Sequence, residues 1–327
     1  MRRRRFLGTP LLAAPGPLAA QTPPLPQARE VQGGGTGSTS YQVKPVIERR
    51  QPGKPHQGKV LAAIQPHCDD IALFAAGTLL KLIDEGYTAY LITLSDDSMA
   101  GTGSSYGDII LKNERDTVEV ARRLGCKDTF FMNYPNHNMD AWPIIEIRAR
   151  LVFLFRALKV DTVMVYDPSA LYERNPDHYV TARAVEWAAA IAGTRWDYPE
   201  HFLAGLKPHA PKERYYFARG PQLVNRVVDI TDFMDRKVYA NVANVTQGPA
   251  GEHGARLRRR LAEQGKRLPL LGDDDDTANR QYTKHFALAR DRAQGQPYGL
   301  EYAEYFHYLA PDVSEVSAYV ERHAVPL

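Results

Sequence analysis

Short apolar runs alternate with amphipathic segments along residues 60–192. Residues 60–64, Val-Leu-Ala-Ala-Ile, form a continuous apolar run followed by polar residues, a pattern typical of a strand buried on both faces. Residues 71–85 instead carry apolar side chains at helical spacing and end at Gly86, and glycine commonly follows the last turn of a helix. The same alternation predicts three further strands and three further helices: strands 87–94, 129–133 and 162–166, and helices 110–124, 142–158 and 177–192.

This alternation, with its short connections, predicts an α/β fold. We expect a Rossmann-like, mostly parallel sheet with helices on both faces, because strands separated by single helices pair in parallel. The core is expected over residues 58–250. Residues 257–265 and 281–292 also have helical patterns, so residues 251–327 are expected to form a C-terminal helical extension packed on the core.

The first 57 residues precede the predicted core and divide into two segments. Residues 1–20 contain four arginines at positions 2–5, then Phe6-Leu7 and an apolar stretch, which fits a twin-arginine signal peptide and predicts export to the periplasm or the outside. The alternative is a basic N-terminus with no targeting role, and then a cytoplasmic protein. Residues 21–57 are rich in Pro, Gly, Ser and Thr and are expected to form an arm or linker.

The composition and the absence of certain motifs argue against nucleic-acid binding, a transmembrane helix and dinucleotide binding. The chain has 41 Lys and Arg against 38 Asp and Glu, and four of the arginines lie in the leader, so the rest is nearly neutral. Proteins that bind long nucleic acids carry an excess of basic residues, so a nucleic-acid partner is not expected for this chain. No transmembrane helix is expected either, since no run of 18 apolar residues occurs beyond the leader. No Gly-x-Gly-x-x-Gly motif follows the first strand, which argues against dinucleotide binding.

Polar residues gather just past the carboxyl ends of the predicted strands, where open parallel sheets bind ligands. They are His67, Asp69 and Asp70 after the first strand, Asp96 and Asp97 after the second, His137 after the third, and Asn175 and His178 after the fourth.

Three of these residues have the chemistry of a metal site. His67 and Asp70 are three positions apart at a strand-to-helix junction, and His178 is the natural third ligand. Three protein ligands with one open position are typical of catalytic zinc, and a His₂Asp set suits Zn²⁺ best, with iron, manganese or cobalt as alternatives. The spacing also allows a second interpretation, in which Asp69 or Asp70 caps one helix, Asn175 caps another, and Asp177 is a first-turn acid.

Several motifs together resemble the PIG-L/LmbE family of zinc-dependent N-deacetylases. The similarity covers about residues 58–250, with the motifs in the family's order. Pro66-His67-Cys68-Asp69-Asp70 is similar to the family's Ala-His-Pro-Asp-Asp-Glu, Asn175-Pro176-Asp177-His178 to its His-Pro-Asp-His, Asn113-Glu114-Arg115 through Leu124-Gly125 to its Glu-Arg helix, and Val228-Asp229-Ile230-Thr231 with Lys237 and Gln247 to its C-terminal pattern.

The resemblance implies roles for individual residues. It places one Zn²⁺ per chain on His67, Asp70 and His178, and it makes Asp69 the general base. Asn175 stands where the family has a histidine that stabilises the oxyanion, and an asparagine amide donates a hydrogen bond without bringing a positive charge. We therefore hypothesise that His137 supplies the missing cationic donor; the alternative is an ordinary loop histidine.

Three other polar residues are candidates for substrate binding. Arg115 is expected to reach a substrate hydroxyl or carboxylate, although a paired charge on the helix surface is an equal alternative. Asp96 and Asp97 are expected to bind sugar hydroxyls or to brace His67.

The resemblance implies a zinc-dependent hydrolase that removes an N-acyl group, acetyl first of all, from an amino sugar or related glycoconjugate. Two alternatives stay open. One is a metal-dependent hydrolase of a non-sugar amide or ester, since activated water attacks both. The other is a metal-containing carbohydrate-binding protein without catalysis, which the asparagine at position 175 makes credible.

Overall fold

An eight-stranded sheet organises the chain in the computed structural model, which describes residues 44–311 and 315–326. The spatial order is β1-β7-β8-β6-β5-β2-β3-β4, and all neighbours are parallel except the two antiparallel pairs that β8 makes with β7 and β6. The strands are β1 (Val46–Glu48), β2 (Val60–Gln65), β3 (Thr88–Ser95), β4 (Asp128–Tyr134), β5 (Thr162–Tyr166), β6 (Glu213–Phe217), β7 (Arg226–Asp229) and β8 (Ala303–Leu309). The predicted α/β fold with a mostly parallel sheet is confirmed.

Helices connect and cover these strands. They are α1 (Asp70–Phe74), α2 (Ala76–Asp84), α3 (Tyr106–Leu124), α4 (Ile144–Leu158), α5 (Pro176–Ile191), α6 (Glu200–Leu203), α7 (Met234–Asn241), α8 (His253–Glu263), α9 (Asp275–Tyr282) and α10 (Ala289–Gly295). A further helix, α11 (Glu315–His323), follows in the chain. Helix α11 belongs to a separate unit from residues 44–311. In the part of the chain that the structure describes, no helix is both long enough and apolar enough to span a membrane.

Both faces of the sheet are buried, which explains the continuous apolar run of β2. Leu61 and Ala63 point into a core that α1, α2, α3 and α7 cover, whereas Ala62 and Ile64 point into a second core under α4 and α5. Because side chains alternate between the faces of a strand, two covered faces require apolar residues at every position.

Two predicted helices differ from the observed ones at identifiable residues. The segment predicted as 71–85 is divided at Ala75, whose backbone (φ −144°, ψ 5°) lies outside the helical region. Helix α3 begins at Tyr106 rather than near residue 110, because the Ser105 side chain accepts a hydrogen bond from the Asp108 N–H and caps a first turn without an apolar face.

The sheet extends beyond the predicted core at both ends. Residues 44–57 of the predicted arm include β1, which pairs with β7; the predicted leader and the rest of the arm lie outside the described residues. The helical extension predicted after residue 250 is present as α8 to α10, but it leads into β8, a strand that the sequence pattern did not indicate. β8 lies inside the sheet, between β7 and β6.

A buried ion pair holds β8 against the helices. Glu304 of β8 accepts hydrogen bonds from the Gly77 N–H (2.8 Å) and the Thr78 N–H (2.7 Å) at the start of α2, and from Lys237 Nζ of α7 (2.7 Å). Asp291 Oδ2 of α10 lies 2.6 Å from the same Lys237 Nζ. Charges withdrawn from water in this way require a partner, so these contacts depend on each other.

We expect Glu304→Ala to lower the free energy of unfolding by about 3–5 kcal/mol, because it leaves Lys237 short of one counterion and two N–H groups of α2 without an acceptor. Chemical denaturation followed by circular dichroism measures this. Asp235→Ala is the control: it removes the exposed Lys284–Asp235 pair (2.8 Å) and should cost at most about 1 kcal/mol. Equal costs for the two variants would contradict the role given to Glu304.

Candidate active site

The three residues with metal-ligand chemistry meet at the carboxyl ends of β2 and β5. These strands are adjacent and parallel, so the residues that follow them emerge on the same edge of the sheet. His67 Nδ1 lies 3.0 Å from His178 Nε2 and 3.4 Å from Asp70 Oδ2, and His178 Nε2 lies 3.7 Å from Asp70 Oδ1. All three side chains are buried. The structure thus brings the predicted ligands together.

Each imidazole has an inner nitrogen, which points towards the other two ligands, and an outer nitrogen, which faces a carboxylate. His67 Nε2 lies 3.0 Å from Asp177 Oδ2, and His178 Nδ1 lies 3.2 Å from Glu173 Oε2. In metal sites such contacts orient the ring and place the proton on the outer nitrogen, which leaves the inner nitrogen as a lone-pair donor. The inner nitrogens here face each other and Asp70, so the donor set fits a metal ion.

The carboxylates around this cluster favour a positive charge at its centre. Burial opposes ionisation of Asp70, but His178 and hydrogen bonds from His67 and Tyr166 hold its pKa well below the usual range. Burial disfavours a charged His67 as well, yet hydrogen bonds to Asp177 and Asp70 raise its pKa well above the usual value. A metal ion bound by these donors would take the place of that proton.

Asp69 lies beside the cluster and under a glycine. Burial, followed by the negative charge of Asp70, raises the pKa of Asp69 to about 6. Gly248 covers its carboxylate with a left-handed backbone (φ +88°), and a Cβ atom there would lie 2.8 Å from Asp69 Oδ2. Only glycine fits this position without moving the carboxylate.

His137 and Asn175 line the same cavity. The His137 ring centre is 6.0 Å from that of His67, and its backbone N–H donates to Asp177 Oδ2 (2.6 Å). Asn175 caps α5, because its Oδ1 accepts the Asp177 N–H (3.0 Å). The capping interpretation of Asn175 is therefore correct, and it is compatible with a role in the site because the Nδ2 group remains available as a donor.

An open cavity of about 550 Å³ lies over these residues, a volume within the usual range for small-molecule sites. Its wall includes Arg219, which pairs with Glu173 at 2.5 Å. Burial opposes ionisation of Glu173, but hydrogen bonds from His178 and Arg219 lower its pKa to about 2. The residues that line the cavity are His67, Asp69, Asp70, Leu73, Phe74, Ala100, Gly101, Thr102, His137, Asn175, His178, Arg219, Thr246, Gln247, Gly248, Pro249, His253 and Arg256.

Asp96 and Asp97 do not line this cavity, contrary to the prediction that they bind substrate. Asp97 is only 2% exposed, and its carboxylate accepts the Cys68 N–H (2.9 Å) and Gln247 Nε2 (3.1 Å). Asp96 Oδ1 accepts backbone N–H groups of Ser98 (3.0 Å) and Asn136 (3.1 Å). Both aspartates stabilise the loops around the site, and neither contacts His67.

Arg115 is also placed outside the cavity. Its side chain is 64% exposed and pairs with Asp116 at 2.9 Å. The other Asp116 oxygen accepts the N–H groups of Val245 (3.0 Å) and Thr246 (2.8 Å), which fixes the segment that leads to Gly248. The alternative of a paired charge on the helix surface is the one that the structure supports.

The sequence did not predict the two carboxylates that contact the imidazoles, Asp177 and Glu173. Asp177 has the pattern of a first-turn helix acid, and only its place beside His178 hints at a second role. Glu173 lies in a loop with no local signal at all. Both act on imidazoles through contacts that depend on how α5 docks against the sheet.

Comparison with known proteins addresses the family resemblance. Residues 62–189 match the family model described as "PIG-L: GlcNAc-PI de-N-acetylase". Residues 62–189 of this chain are therefore similar to the PIG-L family. Diacetylchitobiose deacetylase of Thermococcus kodakarensis is 29% identical over 198 residues, which are 58% of this chain and 71% of that protein. The resemblance found in the sequence is confirmed, and with it the enzyme class, an N-deacetylase.

Solved structures share the fold of this chain at low sequence identity. The N,N'-diacetylchitobiose deacetylase from Pyrococcus horikoshii superposes with a TM-score of 0.59 at 23% identity, covering 82% of this chain and 87% of that one. The 4-carboxy-2-hydroxymuconate hydratase from Pseudomonas putida gives 0.57 at 16% identity, covering 78% and 98%. Since a hydratase has the same fold, the reaction must be argued from the site residues.

We expect Asp177→Asn to weaken metal binding by about 10–100-fold, because an amide holds the His67 ring less firmly and in a less basic form than a carboxylate does. Equilibrium dialysis of Zn²⁺ against a competing chelator measures the affinity. Asp140→Asn, at an exposed position whose carboxylate contacts the Tyr179 hydroxyl (3.3 Å), is the matched control and should bind normally. An affinity for Asp177→Asn within twofold of the wild-type value would refute the role of this contact.

Proposed function

We propose that this protein removes the N-acetyl group of an amino sugar or related glycoconjugate, with Zn²⁺ as its metal. The observation that carries the proposal is the His67–Asp70–His178 donor set beside the Asp69 carboxylate, at the base of an open cavity. The relatives support the substrate class, because two of them are named as deacetylases of diacetylchitobiose.

A divalent cation held by these donors supplies Lewis acidity, which brings the pKa of a water molecule towards neutrality and polarises a carbonyl group. Two imidazoles and one carboxylate suit Zn²⁺ best among the common divalent ions. They also leave room in the coordination sphere for water and substrate.

Asp69 is the group that moves the proton. Its carboxylate lines the cavity next to the donor set without belonging to it. We assign it two successive tasks: it accepts a proton from the attacking water, and it returns that proton to the nitrogen as the C–N bond breaks. The products are acetate and a free amine. Gly248 covers the Asp69 carboxylate, and a hydrogen bond from the Gln247 side chain favours its ionised form.

The carbonyl oxygen becomes negative as water adds to the carbon, so donors aimed at it lower the barrier. The Asn175 amide is one such donor in the cavity. We assign the second to His137, whose backbone is anchored by Asp177 and whose side chain lines the same space.

We expect the wild-type protein to release acetate from N-acetylglucosamine or its oligomers faster than from non-sugar amides. Asp69→Asn should lower kcat by about 100-fold or more, because general acid–base catalysis contributes at least that much, while the bound metal stays unchanged. A coupled acetate assay and metal analysis measure both.

Arg115→Ala is the control in this assay and should retain wild-type turnover, since Arg115 lies outside the cavity. Sugar binding without acetate release, unaffected by Asp69→Asn, would identify a binding protein instead. Turnover of non-sugar amides or esters alone would contradict the substrate class.

His137→Ala should lower kcat by about 100-fold, the usual loss for one oxyanion donor, with little change in KM. Steady-state kinetics on the same substrate separates the two constants. A kcat within twofold of the wild-type value would show that His137 is an ordinary loop residue without a role in catalysis.

A further inference from the structure

A second groove adjoins the active-site cavity along helix α8. It has a volume of about 380 Å³ and is lined by His253, Arg256, Leu257, Arg260 and Tyr282. His253 and Arg256 also line the active-site cavity, so the two spaces meet at these side chains. A substrate whose acetamide reaches His67 therefore has a continuous path towards α8.

The two arginines of the groove are poorly neutralised. Arg258 and Arg259, on the same helix, contact Asp275 at 2.6 and 3.5 Å. Among the residues that the structure describes, Arg256 pairs only with Glu252, at 3.7 Å with both side chains about half exposed, and Arg260 makes no ion pair. Positions four apart lie on one face of a helix, so Arg256 and Arg260 present two charges side by side.

The backbone that carries these charges is held in place. A Cβ atom on Gly254 would lie 1.9 Å from the Ala278 carbonyl oxygen, so only glycine allows α8 to pack this closely on α9. The Ala255 N–H donates to Asn279 Oδ1 (2.8 Å), and His253 Nδ1 lies 2.7 Å from the Ala250 carbonyl. The arginine side chains therefore extend from a helix start of defined position.

We propose that this groove binds an anionic substituent of the substrate, a carboxylate or a phosphate, so that the enzyme favours acidic amino sugars over neutral ones. This inference rests on the proposed function. Planar guanidinium groups match the oxygens of both anions and form charge-assisted hydrogen bonds with them. The groove is open to solvent, so the preference should weaken as salt screens the charges.

The test compares kcat/KM for N-acetylglucosamine, N-acetylglucosamine 6-phosphate and N-acetylmuramic acid, which carry no charge, a phosphate and a carboxylate. We expect the wild-type protein to favour at least one acidic sugar by about tenfold or more at low salt. In the double variant R256Q/R260Q this ratio should fall to near unity. R258Q/R259Q removes the same charge from the same helix outside the groove and should keep the wild-type ratio.

A binding measurement separates this inference from the proposed function. Equilibrium dialysis of the phosphorylated sugar needs no turnover, and R256Q/R260Q should weaken binding about tenfold relative to R258Q/R259Q. If no sugar releases acetate but the two double variants differ in binding of the phosphorylated sugar, the proposed deacetylase function is wrong and the inferred anion groove is supported. If acetate is released but all three proteins have the same ratio of acidic to neutral kcat/KM, the groove inference is overturned and the deacetylase stands.

Discussion

The buried Asp177 carboxylate joins the three segments from which the active site is built. It contacts His67 Nε2 after β2, accepts the N–H groups of His137 and Met139 in the loop after β4, and itself belongs to the first turn of α5. A single residue thus orients one metal-ligand imidazole, the loop that carries a candidate donor, and the helix that carries the second imidazole. Such a carboxylate is costly to bury, and these hydrogen bonds offset the cost.

The sheet brings the site residues together, but it does not determine which reaction they catalyse. Parallel pairing of β2 with β5 places His67 and His178 on one edge of the sheet, although the two residues are 111 positions apart in the sequence. The same fold supports a hydratase, so the deacetylase reaction that we propose rests on the donor set, on Asp69 and on the cavity that surrounds them. Around this centre, Glu304 and Lys237 lock β8 to α2 and α7, and the segment from Thr246 to Arg256 continues the cavity wall into α8.

Much of this architecture was predictable because it depends on local patterns. The period of apolar residues identified β2 to β5 and the helices that connect them, and the His67–Asp70 spacing pointed to a metal site; β1, β6 and β7 were not predicted. Two further errors arose at acidic side chains that are buried in the structure. β8 was missed because Glu304 occupies a core position that an apolar residue normally fills, and Asp97 was taken for a substrate ligand although its carboxylate is buried against the Cys68 N–H and the Gln247 side-chain amide.

The amino-acid sequence by itself determined the fold class, the family resemblance and the three residues with metal-ligand chemistry, because these follow from periodicity and from short motifs within single elements. Tertiary structure alone decided which carboxylates orient the imidazoles, why position 248 must be glycine, and that Arg115 faces away from the cavity while Arg256 faces it. The physical reason is that hydrogen bonds and electrostatic interactions act between groups close in space, and the docking of α5, α8 and β8 joins residues that no local pattern connects.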